Sequence, residues 1–154
     1  MPQTISRDQV LAFYHAYSQR DLAAVETFLH EDVRWTVNGP VDVLAYCGER
    51  RNRGDVMRML RQVVPQMFRH RQFDIDKILI DDNSVAVLAR LSGVKHDGRA
   101  ICFRLSHFVE FRDGRIVTLT SIIDSFNAVE QITGQTIDLG AAPTLVPDND
   151  LVSV

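Results

Sequence analysis

The segment RLSHFVEFRDGRIVTLTSIIDS, residues 104–125, predicts two antiparallel strands joined by one tight turn. Its side chains alternate between apolar and polar, as they do in a strand with one buried face. Asp113-Gly114 supplies the turn, because a type I′ hairpin loop needs positive φ at both central residues. The more apolar face of this hairpin nevertheless carries His107 and then Asp124, which a strand facing a dry core does not need. The segment therefore predicts both a sheet and a hollow lined by ionisable groups.

The same alternation continues on the N-terminal side of this hairpin. Asp97-Gly98 is a second Asp-Gly pair, and we interpret it as another two-residue turn. Together the patterns predict a four-stranded antiparallel meander, with strands over residues 69–80, 84–96, 99–111 and 115–124.

The first part of the chain shows helical periodicity instead. Ser6 and Gln9 form a capping box ahead of a first helix, and Asp21 begins a second. A third helix begins near Gly54 and is expected to end or kink before Pro65. A short strand and an irregular loop, residues 33–37 and 39–53, lie between the second and third helices. Helices gathered ahead of antiparallel strands favour an α+β domain whose helices cover one sheet face.

Tight hairpins fix which residues face each other across the strands. If both Asp-Gly pairs are central in their turns, His107 lies opposite Leu88 and Thr120. One sheet face is then expected to hold Leu88, Arg90, Ser92, Phe103, Leu105, His107, Val109, Thr118, Thr120, Ile122 and Asp124. Ionisable groups among apolar ones are typical of a small-molecule pocket. Because the other face is also apolar, a second subunit is expected to cover it.

Three segments occur in order within residues 6–132: FYHAYSQRDLAAVETFLHEDVRW, AYCGERRNRGDVMRML and HFVEFRDGRIVTLTSIID. Together they resemble the nuclear-transport-factor-2-like superfamily, and within it the SnoaL-like polyketide cyclases and the ketosteroid isomerase relatives. The resemblance implies a cone-shaped fold, in which a strongly bent antiparallel sheet wraps around the N-terminal helices and leaves a deep pocket. It also implies a homodimer packed through the outer face of the sheet.

The resemblance also implies roles for individual residues. In SnoaL-like cyclases an aspartate on the last strand acts as acid/base and a histidine on the preceding strand lines the site; Asp124 and His107 are at about those places. In ketosteroid isomerases a first-helix tyrosine helps form the oxyanion hole, a place that Tyr14 or Tyr17 can take. The strand that should carry the isomerase base offers Asn38 rather than an acid, although Asp42 is nearby, so the isomerase set is incomplete.

The candidate residues each have a structural alternative. Asp124, desolvated on a pocket wall, would gain a raised pKa and act as general acid or base, or it caps the following helix. His107 is a second acid/base or donor group, or a buried histidine bonded to a threonine. Arg90 holds a carboxylate or enolate oxygen of the ligand, or pairs with an acid such as Asp124. The expected wall residues, for which core packing is the alternative, are Tyr14, Tyr17, Trp35, Phe73, Phe103, Thr120 and Ile122.

The remaining features exclude several functions. A net charge of -3 argues against a nucleic-acid partner. The segment 50–71 holds seven arginines against only Asp55, which we interpret as a solvated rim, with an anionic ligand or nucleic acid as alternatives. Neither a metal-ligand spacing nor a nucleotide-binding motif is present, so we expect no cofactor and no metal. The two separated cysteines and the lack of a signal sequence or membrane span favour the cytoplasm.

These inferences predict a single domain over residues 1–132 and a C-terminal tail, 133–154, that is either disordered or packed on a partner subunit. The function they favour is a cofactor-free general acid/base enzyme of isomerase, cyclase or dehydratase type. Its substrate is expected to be a small, mostly apolar carbonyl compound. The alternatives are a non-catalytic binder of an apolar metabolite and a protein-interaction module of the same fold.

Overall fold

The computed structural model describes residues 4–138 and residue 140, so most of the predicted C-terminal tail lies outside the described residues. The helices are α1 (Arg7–Gln19), α2 (Leu22–Thr27), α3 (Arg53–Arg58), α4 (Val64–Met67) and α5 (Ser125–Thr133), with a π-helical turn, Met59–Val63, between α3 and α4. The strands are β1 (Leu29–Asn38), β2 (Gly48–Arg51), β3 (His70–Asp81), β4 (Ser84–Val94), β5 (Ala100–Arg112) and β6 (Arg115–Ile123). The predicted elements are confirmed, and β2 is an additional strand within the segment expected to be an irregular loop.

The six strands form one sheet in the order β2-β1-β6-β5-β4-β3. Strand β1 runs parallel to β6, whereas every other neighbouring pair is antiparallel. The sheet is curled without closing, and its concave face packs on the helices. The predicted cone-shaped α+β fold is therefore confirmed.

The first two helices begin where their caps were predicted. The Ser6 side chain accepts a hydrogen bond from the Gln9 backbone, and the Gln9 side chain accepts one from the Ser6 backbone. Arg20 ends α1 in the left-handed conformation, with φ of 56°, and Asp21 caps α2. This ending places the Arg20 side chain at the C-terminal end of α1, beside the π-helical turn.

Pro65 lies inside the third helical segment, which continues past it to Met67. A proline has no N–H and its ring crowds the carbonyl four residues earlier, so an unbroken α-helix is disfavoured. The chain widens instead, and the Val64 N–H donates to the Met59 carbonyl, five residues back. In this pattern the partner of the Leu60 carbonyl would be the N–H that Pro65 lacks. The Arg20 guanidinium donates to that carbonyl at 3.0 Å.

The two Asp-Gly turns differ from each other. Asp113 and Gly114 have φ values of 51° and 76° between paired Arg112 and Arg115, as a type I′ turn requires. Gly98 instead ends a three-residue loop with φ of 87°, and the Lys95 N–H donates to the Arg99 carbonyl. The expected two-residue turn at 97–98 is wrong, and the pairing of β4 with β5 is shifted by one residue.

A bulge in β6 causes a second shift. Glu110 pairs with Thr118 but Phe111 pairs with Ile116, so β6 contains one extra residue at Val117. The turn therefore places Val87 rather than Leu88 opposite His107, and the bulge places Ser121 rather than Thr120 opposite it. The buried concave face holds Val85, Val87, Ala89, Leu91, Phe103, Leu105, His107, Val109, Leu119, Ser121 and Ile123.

Within the described part of the chain, no helix combines the length and the apolar character that a bilayer crossing requires.

Candidate functional site

A cavity lies inside the cone, between the concave face of the sheet and the π-helical turn. Its volume is about 40 Å³. Most of the wall is apolar, supplied by residues such as Leu60, Phe68, Leu91 and Phe103. Polar atoms come from a small set of side chains: Tyr17, Tyr46, Arg71, His107 and Ser121. An apolar hollow with a few polar groups is the usual form of a small-molecule site.

His107 is the most deeply buried ionisable group in this wall, with 2% of its surface exposed. Its Nδ1 atom lies 3.0 Å from the hydroxyl of Tyr14 on α1. Burial raises the pKa of Tyr14 well above its ordinary value, with a further contribution from Tyr17, so the phenol keeps its proton. A phenol that keeps its proton can donate it to Nδ1, and in that tautomer the ring proton of His107 is on Nε2. In this tautomer His107 offers an N–H donor on the side of the ring that faces away from Tyr14.

An aromatic cage surrounds the imidazole. The ring centroids of Phe73, Tyr14, Tyr17 and Trp35 lie 5.3, 5.9, 6.0 and 6.5 Å from that of His107. Burial, together with the positive charge of Arg71, lowers the pKa of His107 to about 3. The imidazole is thus neutral at physiological pH, which makes it a poor general base but a stable hydrogen-bond donor.

Arg71 is held against Tyr17 by three contacts. Its guanidinium donates to the Tyr17 hydroxyl at 3.1 Å and to the Tyr17 carbonyl at 3.4 Å. The guanidinium carbon also lies 4.7 Å from the centre of the Tyr17 ring, in a cation–π arrangement. These contacts hold a permanent positive charge in the cavity wall.

Tyr46 supplies a polar atom with no protein partner. Its hydroxyl is buried and is the only such side-chain atom among the described residues that lacks a hydrogen bond. Burial raises the pKa of Tyr46, with smaller effects from neighbouring groups, so this hydroxyl also keeps its proton. Because an unpaired buried hydroxyl costs about 1–3 kcal/mol, it marks a position where a ligand atom or water can bind.

The structure brings together part of the predicted site. Tyr17, Trp35, Phe103 and His107 line the cavity. Tyr14 and Phe73 lie behind His107, where they fix and enclose the imidazole.

The expected positions of four other predicted residues are wrong. Asp124 is exposed, and its carboxylate accepts from the Asn127 N–H as the N-cap of α5. Arg90 lies on the convex face and contacts Asp76 at 3.4 Å. Thr120 and Ile122 also face outward, because the bulge shifts the register of β6 by one residue. The three-residue turn shifts the register of β4, which carries Arg90, by one residue in the same way.

Sequence reasoning missed Arg71, Tyr46 and Ser121. Arg71 could have been predicted, because it lies two residues before Phe73, an expected wall residue, and so is on the same face of the strand. Ser121 is the neighbour of Thr120 and replaces it through the bulge. Tyr46 lies in a loop without periodicity, where no sequence pattern indicates burial.

No group of three His, Cys, Asp or Glu side chains is placed to hold a metal ion within the described ranges. The donors that line the cavity are those that bind an oxygen atom: an imidazole N–H, two phenols, a hydroxyl and a guanidinium.

The fold and the cavity define a protein of the nuclear-transport-factor-2-like class. The family model of the SnoaL-like domain matches residues 10–119, and the chain belongs to that family. No curated protein sequence matches the chain significantly.

Solved structures share this fold. An NTF2-like protein of unknown function from Burkholderia pseudomallei is similar with a TM-score of 0.76 and 25% identity, over 82% of this chain and 95% of that one. TerC, co-crystallised with polyporic acid, gives a TM-score of 0.74 and 18% identity, over 82% and 96% of the chains. Bal32a, from a soil-derived mobile gene cassette, gives 0.71 and 16%, over 80% and 93%. The last two likenesses show the fold alone.

Proposed function

We propose that this protein binds a small, flat, mostly apolar molecule in the cone and holds a carbonyl or enol oxygen of that molecule against His107. The observation that carries the proposal is the buried Tyr14–His107 pair, in which the Nε2 atom has no protein hydrogen-bond partner among the described residues. With the ring proton on Nε2, this atom is a donor. A carbonyl oxygen is the natural acceptor for this donor.

The charge balance of the cavity supports an oxygen-bearing ligand. Arg71 is the charged group among the described lining residues, and no carboxylate lines the wall beside it. A wall of neutral donors plus one guanidinium stabilises negative charge that develops on an oxygen, because donors in a dry site interact more strongly than donors in water. Aromatic side chains that line the cavity, among them Tyr17, Trp35 and Phe103, can stack on a planar ligand.

The binding experiment uses Trp35, the single tryptophan of the chain, which lines the cavity. We expect 2-acetylnaphthalene to quench Trp35 fluorescence and to bind about tenfold more tightly than 2-ethylnaphthalene, which lacks the oxygen. In His107→Phe the two probes should bind equally. Equal binding of both probes to the unaltered protein would contradict the proposal.

Catalysis is a second candidate, favoured by the same set of donors. An N–H and a guanidinium around a carbonyl oxygen can stabilise an enolate, which is the central step of the isomerases and cyclases expected from the sequence. The described residues of the cavity wall include no carboxylate to act as the base, so in this proposal water or the substrate accepts the proton. We expect an enzyme to accelerate deuterium exchange at the methyl group of 2-acetylnaphthalene at least 100-fold over His107→Phe. Exchange at the buffer rate would leave binding as the function.

We further propose that a second copy of the chain covers the convex face. Leu79, Leu88, Phe108 and Ile122 are between 41% and 58% exposed there. The same face carries both signs of charge, with Asp76 between Arg90 and Arg104, so it can complement itself across a two-fold axis. Phe108→Glu is expected to convert a dimer into a monomer in sedimentation. A monomer before substitution would contradict this proposal.

A further inference from the structure

A second hollow shares wall residues with the cavity. It has a volume of about 360 Å³, and its rim carries Arg20, Arg69, His70 and Arg71. We call it the basic groove. Phe68 and Arg71 line both the groove and the cavity, so the two hollows adjoin at these side chains.

Two of the arginines in the basic groove are fixed by the fold. Arg20 donates at 3.0 Å to the Leu60 carbonyl that Pro65 leaves without a helical partner. Arg71 is fixed on the hydroxyl, carbonyl and ring of Tyr17. Because these contacts engage backbone and phenol oxygens rather than carboxylates, both positive charges stay uncompensated while their positions are set.

Among the residues that the structure describes, no acidic side chain lines the basic groove. Arg20, Arg69 and Arg71 form no ion pair among the described residues, whereas Arg61 and Arg58 nearby pair with Glu26 and Asp55 at 2.8 and 3.0 Å. Arg20 and Arg71 lie close enough to repel each other: burial and then the charge of Arg71 lower the pKa of Arg20. Like charges held together without counter-ions form a site for an anion.

We infer that the basic groove binds the acidic group of the same ligand whose apolar, carbonyl-bearing part occupies the cavity. The ligand class is therefore an amphipathic organic acid, with a carboxylate, sulfonate or phosphate at one end and a carbonyl-bearing flat body at the other. The inference rests on the proposed function, because it uses the cavity for the apolar part. It adds the charge of the ligand and the direction in which the ligand lies, past Phe68.

The test compares two probes that differ in one group. At low ionic strength, 6-acetyl-2-naphthoate is expected to bind at least tenfold more tightly than 2-acetylnaphthalene, because a charge-assisted hydrogen bond strengthens binding by about that factor. Added salt should weaken the acid and leave the ketone unchanged. Inorganic phosphate alone should bind much more weakly than the naphthoate. Phosphate that binds as tightly as the naphthoate would overturn the inference, since the groove would then hold a free anion.

Substitutions in the basic groove test whether its arginines cause the preference for the acid. The double substitution Arg20→Gln, Arg69→Gln is expected to abolish this preference while ketone binding stays the same. Arg20→Lys keeps the charge and should retain most of the preference. Arg112→Gln, at the exposed turn between β5 and β6, removes an arginine elsewhere and serves as the matched control.

The two proposals fail in different ways. A ketone that binds without any preference for the acid, or a preference that survives the double substitution, overturns this inference alone. Failure of both probes to bind removes the proposed function and this inference with it. Arg69 is exposed, so Arg69→Gln alone preserves the fold and is expected to lose part of the preference even if the double variant unfolds.

Discussion

The two faces of the curled sheet are built from alternate residues of the same strands, yet they have opposite environments. On the concave face, Val87 and His107 are each 2% exposed. On the convex face, their sequence neighbours Leu88 and Phe108 are 41% and 51% exposed. Both faces are apolar in composition, so composition does not distinguish them. The comparison shows that the strand register, which one turn and one bulge set, determines which ionisable groups face the cavity.

The ionisable groups on the two faces also interact differently. On the convex face Asp76 contacts Arg90 and Arg104 at 3.4 and 3.5 Å in contact with water, where an ion pair contributes only about 0–1 kcal/mol. On the concave face His107 is kept neutral and contacts a phenol. The concave arrangement is thus the one in which a change of protonation has a large effect on stability.

The largest effect is expected from placing a charge on each face in turn. Val87→Asp should lower the free energy of unfolding by about 4 kcal/mol or more, because it buries an unpaired carboxylate. Leu88→Asp, one residue along the strand, should change it by about 1 kcal/mol or less. Urea unfolding measures both. Equal losses would mean that the register of β4 is not the one described, and Val87→Thr with Leu88→Thr gives the same contrast if the aspartate variant does not fold.

The pH dependence of stability tests the burial of His107. An unfolded chain takes up a proton at this histidine near pH 6.5, whereas the folded chain does so only near pH 3. Between these values the unfolded state binds more protons, so stability falls as the pH is lowered. From pH 7 to pH 5 this group should remove about 2 kcal/mol. The loss is measured as the difference between the unaltered protein and His107→Phe, and parallel curves for the two would contradict it.

A smaller effect is expected from the partner of that histidine. Tyr14→Phe deletes the hydroxyl that contacts Nδ1 and leaves this buried nitrogen without its partner, which should cost about 1–2 kcal/mol. In His107→Phe the same Tyr14→Phe substitution should cost clearly less, because the interaction is already lost. A double-mutant cycle by urea unfolding measures the coupling, and additive losses would rule out the interaction.

The smallest effect is expected at Asp124. Asn is as good an N-cap as Asp, so Asp124→Asn should change the free energy of unfolding by less than about 0.5 kcal/mol. Binding of 2-acetylnaphthalene should also be unchanged, since the carboxylate lies outside the cavity. Asp124→Ala removes the cap and should cost about 1 kcal/mol. Tenfold weaker binding in Asp124→Asn would contradict this and show that Asp124 contributes to the site.

Local signals in the sequence predicted the elements of this fold well. The Ser6–Gln9 capping box, the cap at Asp21 and the turn at Asp113-Gly114 each act within a few residues, so their chemistry is visible in the sequence. His107, Tyr17 and Trp35 were also found, because alternation and helical spacing place them on inward faces.

The failures arose from features that single residues do not encode. Asp97-Gly98 fits both a two-residue turn and a three-residue loop with glycine last, and the two choices differ by one residue in register. The sequence around Val117 has a normal strand pattern, and nothing in it indicates the extra residue. Because of these two shifts, Arg90, Thr120 and Ile122 lie on the convex face. Asp124 lies outside the cavity for another reason, since it is the N-cap of α5.

The most direct test of the central claim is the nitrogen NMR spectrum of the His107 side chain, recorded as 2-acetylnaphthalene is added. We predict a neutral ring that carries its proton on Nε2 from pH 7 down to pH 5, and a shift of the Nε2–H signal that follows binding. A ring that is protonated at both nitrogens near pH 6, or an Nε2–H signal that does not change as the ketone binds, would contradict the account.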